Sequence, residues 1–204
     1  MQHQPDDRTR WNARHAQRAA EGPAAPSVAV LSLASHLPQR GRALDLAGGT
    51  GRHALWLVQR GLDVTLLDVS DVALEVASEH AARRSVSLST LRWDLSTGMP
   101  GGGPWDVVLC VNFLDRAVYS QLGAKLAPGG CAIVVHPTRT NLERHARPSS
   151  RYLLEPGELP GLMGELSIAV HREGWLDGEH HLAAVVASAS GSPRRRGRRV
   201  PRGS

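Results

Sequence analysis

The hydrophobic positions fall into two periods. Residues 42–46, 63–67, 87–93, 106–112 and 131–136 form short apolar or alternating runs of the length expected of strands. Between them, residues 51–60, 72–84 and 117–126 carry apolar side chains at helical spacing. Punctuation agrees with this division. Gly61 closes the first of these helices, Ser70 or Asp71 caps the second, and Pro128-Gly129-Gly130 stops the third. Between Asp106 and Asn112 the run is continuously apolar, as in a strand buried on both faces of a parallel sheet. Upstream, residues 11–20 read as a short helix stopped by Gly22-Pro23. Residues 28–37 read as a helix with Ser27 at its N-cap and Pro38 beyond its end.

After residue 136 the pattern changes. Residues 137–164 are rich in turn formers and charges and read as a long loop with room for one short helix. Loops of that length in compact domains are often functional lids. Residues 166–173 and 181–188 read as two strands joined by a turn at Asp177-Gly178. Five β-α units and then an antiparallel pair predict an α/β fold. It is a Rossmann-like, doubly wound, seven-stranded sheet, mostly parallel with a C-terminal antiparallel pair. A length of 204 residues suits one domain with tails. The expected division is an N-terminal cap segment, 1–26, a folded domain, 27–190, and an Arg-rich, disordered tail, 191–204.

Composition narrows the class. Hydrophobic residues make up 41%, enough for one core. No apolar run approaches the roughly 20 residues of a membrane helix. The first residues are polar and lack the apolar centre of a secretory signal. Cys110 and Cys131 sit in apolar strands and read as small core residues in a reducing, cytoplasmic setting. A pI near 10.2 suggests a nucleic-acid partner. The charge distribution weakens that suggestion, because Arg194, Arg195, Arg196, Arg198, Arg199 and Arg202 all lie in the last stretch. Without them the formal charge falls from +5 to −1. Nucleic-acid contact through this tail stays open but is not favoured. Val200-Pro201-Arg202-Gly203-Ser204 matches most of a thrombin cleavage site and is set aside from the fold.

The sharpest local signal is Asp45-Leu46-Ala47-Gly48-Gly49-Thr50-Gly51-Arg52, after a strand and before a helix. Small residues let the backbone approach a ligand, and the helix N-terminus offers free N–H groups. Alone, such a loop suits NAD, FAD or S-adenosylmethionine (SAM). Three features favour SAM. Asp45 precedes the glycines, and a carboxylate there suits a ligand bearing an ammonium and a sulfonium better than a pyrophosphate. The Gly-x-Gly-x-x-Gly spacing fails at Ala54. Asp68 ends the second strand, where it can accept a ribose diol, and Asp94 ends the third, where it can accept the adenine amino group.

These residues resemble the class I SAM-dependent methyltransferases. Asp45 to Arg52 looks like motif I with Ala47 in place of its first glycine, and Trp105 to Cys110 like the fourth strand. Leu126-Ala127-Pro128-Gly129-Gly130 looks like the turn before the fifth. The resemblance spans roughly residues 40–137. It implies SAM as cofactor, held by Asp45, Ala47, Gly48, Gly49, Gly51, Arg52, Asp68, Val69, Asp94, Leu95, Val111 and Asn112. A narrower resemblance, to the tellurite-resistance (TehB-type) methyltransferases, rests on three segments. They are Trp11-Asn12-Ala13-Arg14-His15, Asn112-Phe113-Leu114-Asp115-Arg116 and the run from Tyr152 to Leu159. That family usually has Tyr where His15 stands.

The expected activity is methyl transfer to a small-molecule nucleophile: a soft sulfur, a selenium or tellurium oxyanion, or a nitrogen. An RNA or protein methyltransferase using the basic tail, and a non-catalytic SAM-binding module, are the alternatives. Asn112-Phe113-Leu114-Asp115 is not the Pro-Pro loop of enzymes that methylate exocyclic base amines, and Cys110 is poorly placed as a nucleophile. No catalytic pair stands out. Candidates on the substrate side are His136, which ends the fifth strand, and Arg139, Arg144, His145 and Arg151 on the following loop. Together these cations could attract an oxyanion. The alternative is that they are solvated loop residues. His180-His181 has no spaced partners, so no metal site is expected.

Overall fold

The computed structural model describes residues 6–17 and 24–191. The proposed Arg-rich tail, apart from Gly191, lies outside the described residues. So do residues 18–20, the end of the first expected helix.

Seven strands form one sheet in the order β3-β2-β1-β4-β5-β7-β6. They are β1 Gly41–Leu46, β2 Leu62–Asp68, β3 Ser89–Arg92, β4 Trp105–Val111, β5 Leu126–Pro137, β6 Ser167–Gly174 and β7 Leu182–Ser188. The first five pair in parallel, and β7 runs antiparallel between β5 and β6. This is the expected Rossmann-like sheet. Alternate residues of the central strands enter two separate cores. On one face α2 (Val28–Leu31), α3 (Arg52–Gln59) and α4 (Asp71–Arg83) cover Ala43, Leu66, Leu109 and Ile133. On the other, α5 (Arg116–Lys125) covers Leu44, Leu46, Val108 and Val134. Continuous apolar runs arise because both faces are covered. Cys110 and Cys131 are free and buried in these layers.

Helix α1 (Asp7–Ala16) begins four residues earlier than its apolar pattern indicates. Asp6 caps it by accepting the Thr9 N–H at 2.7 Å, a polar start signal upstream of Trp11. It lies along α4.

Three expectations are corrected. The helix over 28–37 ends at Leu31 and resumes only as a 3-10 turn at Ala34–His36. The Ser32 hydroxyl bonds back to the Ala29 carbonyl at 2.8 Å, and Leu37, preceding a proline, is extended. Pro128-Gly129-Gly130 does not end α5. Lys125 does, and Leu126 already pairs with Trp105. The glycines lie within β5, where the register to β4 shifts. A Cβ on Gly130 would meet the Trp105 carbonyl at 2.8 Å. The segment 137–164 holds three 3-10 turns, Arg139–Glu143, Ser150–Tyr152 and Leu159–Met163. Leu153, Leu154, Leu159 and Met163 are buried, so much of this segment belongs to the second core.

Candidate functional site

The carboxyl ends of β1, β2, β3 and β4 lie side by side, and the expected cofactor residues stand on them. The loop after β1 alternates handedness: Ala47, Gly49 and Gly51 have φ of 49°, 57° and 82°. Only glycine adopts this region freely, so Ala47 carries the strain of the missing motif glycine. Gly51 caps α3 with no side-chain bond. Gly48 is required for a different reason. A Cβ there would lie 2.3 Å from Leu66 Cδ1 and 2.6 Å from Asp45 Oδ2.

Asp45 lies beneath this loop and is 1% exposed. Neither of its oxygens accepts a hydrogen bond of full geometry, and the Ala54 N–H only approaches the carboxyl. Burial pushes its carboxyl up to about 7, nearby Asp68 adds to that, and the Ala54 N–H and Arg52 oppose it in part. A buried carboxylate without a partner is costly, and a cation lodged at the loop would relieve it. Arg52 is half-buried, and burial lowers its pKa.

Asp68 ties the loop to β2. Oδ2 accepts the Gly49 N–H at 2.8 Å and Oδ1 the Ser70 N–H at 2.9 Å. Each oxygen retains a lone pair, which suits the two hydroxyls of a ribose. Val69, next to it, is half-buried. Asp94 is exposed and caps a 3-10 turn by accepting the Ser96 N–H at 2.9 Å, with Leu95 buried below. Val111 and Asn112 close the edge at β4, and Asn112 has a φ of 59°.

The expected substrate-side residues each have partners of their own in the fold. Arg139 pairs with Glu155. The Arg144 guanidinium stands 3.6 Å from the centre of the Trp175 ring, near the β6–β7 turn. His145 stacks on His180 with centroids 5.0 Å apart. Arg151 lies over Tyr152 at 4.6 Å. The sequence offers these side chains as oxyanion-attracting cations or as solvated loop residues, and in the fold each has a partner. His136 is buried, and its Nε2 donates to the Tyr152 carbonyl at 2.9 Å. Its Nδ1 is therefore the unprotonated nitrogen, buried and without a partner. Burial holds this ring down to about 4, so it is neutral at pH 7. His181 bonds to Thr138 through Nδ1 at 2.7 Å, and His180 to Asp177 at 3.0 Å. Burial raises the Cys110 and Cys131 thiols, the latter to about 11.

Two features escape a linear reading. Arg116 and Glu158 form a two-pronged ion pair, 42 residues apart, that fastens the late loop to the start of α5. Asn12 and Ser70, 58 residues apart, join α1 to the end of β2 beside Asp68. Ser70 was legible as a helix cap; its second partner was not.

Residues 43–130 match the methyltransferase-domain family. A dTDP-4-amino-2,3,4,6-tetradeoxy-D-glucose N,N-dimethyltransferase of Saccharopolyspora spinosa is 28% identical over 140 residues, covering 64% of this chain and 54% of that protein. The chain thus spans about half the length of that curated relative. The crystal structure of TehB from Haemophilus influenzae is similar with a TM-score of 0.66 at 17% identity, covering 79% of this chain and 61% of that one. The [4+2]-cyclase SpnF is similar with a TM-score of 0.66 at 15% identity, covering 89% and 93%. At these identities both are likenesses of fold.

Proposed function

We propose, for a chain whose residues 43–130 form a methyltransferase domain of the class I, SAM-dependent kind, that the whole protein methylates a small molecule. The observation that carries this reading is the Asp68–Gly49 hydrogen bond, which sets a diol acceptor beside a loop shaped for close approach. Asp45, whose oxygens accept no hydrogen bond of full geometry inside the protein, supplies the negative charge that a cationic cofactor needs. Asp94 keeps acceptor capacity for an adenine amino group, and Val69, Leu95 and Val111 form apolar neighbours for the adenosine. Arg52 is assigned to the cofactor's carboxylate.

SAM supplies a methyl group on a sulfonium, whose departure as a neutral thioether needs no acid. The chain's work is then alignment and exclusion of water at the carboxyl edge of the sheet. The cations once suited to an oxyanion are engaged elsewhere, and His136 offers a neutral acceptor nitrogen instead. A neutral amine nucleophile fits these observations, because it needs neither a cationic cradle nor an ionised base. The curated relative named as an N,N-dimethyltransferase points the same way.

A second reading is a SAM-binding domain that transfers no methyl group; its motive is that the fold is shared with a protein named for a different reaction, a [4+2]-cyclase. A methyl-transfer assay across small amines, thiols, selenite, tellurite and RNA, read as S-adenosylhomocysteine, separates them. Turnover with a small amine supports the first. SAM binding with no product from any nucleophile favours the second, and turnover on RNA alone overturns the small-molecule reading.

A further inference from the structure

Helix α1 reaches the body of the protein through polar atoms, and none of its residues is buried. Asn12 and Arg8 meet the start of α4. The Asn12 Oδ1 accepts the Ser70 hydroxyl at 2.7 Å and the Val72 N–H at 3.4 Å. Arg8 pairs with Asp71, which also meets Arg92 at 3.2 Å. These ion pairs are half exposed and hold weakly. The Asn12–Ser70 bond is the more sheltered tie.

Ser70 is fully buried and engaged on three sides. Its hydroxyl donates to Asn12 and accepts the Ala73 N–H at 3.1 Å, and its own N–H holds Asp68 Oδ1 at 2.9 Å. The other Asp68 oxygen holds Gly49. The His15 ring of α1 stands over that same glycine, 3.3 Å from where a Cβ would be. Helix α1 therefore meets both ends of the hydrogen-bond chain that orients the Asp68 carboxylate.

We infer that Asn12 is a positioning residue of the cofactor site. Through Ser70 it fixes the Asp68 carboxylate, so the seating of α1 and the binding of a ribose diol are coupled. This rests on the assignment of Asp68 to the cofactor's ribose. A hydroxyl has one proton to give. Asn12 takes that proton, which fixes the serine, and the Ser70 N–H is held in place to donate to Asp68. Coupling is reciprocal: a ligand that needs a fixed Asp68 must also favour seated α1.

The test uses the full chain and S-adenosylhomocysteine as probe. Calorimetric titration of wild type, Asn12→Leu, Ser70→Ala, the double variant, Ser70→Thr and Asp68→Ala gives the dissociation constants. Asn12→Leu is expected to weaken binding about five- to thirtyfold, the value of one sheltered hydrogen bond. In the Ser70→Ala background the same change has no further effect, and Ser70→Thr, which keeps the hydroxyl, retains affinity. Amide exchange of α1 slows on adding the probe in wild type and not in Asn12→Leu. Wild-type affinity in Asn12→Leu, or effects that multiply in the double variant, overturns the inference. If Asp68→Ala weakens binding while Asn12→Leu does not, only this inference falls. If Asp68→Ala binds as wild type, the ribose assignment falls with it.

Discussion

Asp68 and Gly49 are joined by a 2.8 Å hydrogen bond from the glycine N–H to the carboxylate. The acid that ends β2 and the loop that follows β1 are thereby one unit, and neither is shaped without the other. Replacing Asp68 with alanine removes the anchor of the loop and the diol acceptor together. SAM affinity should fall by roughly 1–3 kcal/mol, with Asp68→Asn in between because it keeps one acceptor oxygen. Titration calorimetry reads this directly, and unchanged affinity in Asp68→Ala refutes the placement of the ribose.

Gly48 is tested by volume rather than charge. Its Cβ would collide with Leu66 and Asp45, whereas a Cβ on Gly161 meets nothing within 4 Å. Gly48→Ala should cost about 1–3 kcal/mol of stability and most of the SAM affinity. Gly161→Ala should change neither. Thermal melts and SAM titration of the pair decide it; a tolerated Gly48→Ala would mean that the loop is not held against β2.

Asp45 predicts a pH dependence of binding. Its carboxyl, raised to about 7 by burial, is protonated in the free protein at mildly acid pH. A cationic cofactor favours the ionised form, so binding must release a proton. SAM affinity should climb by up to about tenfold per pH unit as pH rises toward 7, then level off. Calorimetry in buffers of different ionisation enthalpy counts the proton. Asp45→Asn should bind weakly at every pH, and a wild type whose affinity does not vary with pH would contradict the role of Asp45.

Stability in the absence of ligand should respond to acid through His53 and His136. Burial holds them down to about 3 and about 4, against 6.5 for a free ring. As pH falls from 6.5 toward 4 the unfolded chain binds two protons that the folded chain refuses, which destabilises. Asp45 acts with opposite sign over the same window, because its folded form takes up a proton that the unfolded form does not. The two histidines outweigh the one carboxyl. Net stability should fall by roughly 1.4 kcal/mol per pH unit between about 6 and 4. Denaturant melts across that range test the slope. His136→Gln should flatten it, and a wild type that gains stability on acidification would contradict the burial of both rings.

The sheet and the cofactor loop were legible because their causes are local. A strand buried on both faces leaves an unbroken apolar run, as in Val107 to Val111, and a strand-to-helix turn leaves small residues between two acids. The break after Leu31 was harder to see, since it depends on Ser32 turning its hydroxyl back to Ala29. The role of Gly130 depends on the approach of Trp105 on another strand. The partners of the loop cations are hidden from the sequence for a similar reason. Clustered in sequence, Arg139 and Arg144 face Glu155 and Trp175, partners that only the folded chain brings near.

The central claim is tested most directly by titrating the purified full chain with SAM and with NAD. Saturable one-to-one binding of SAM, weakened in Asp45→Ala and Asp68→Ala, with no uptake of NAD, is the expected result. Binding of NAD but not SAM would contradict the account.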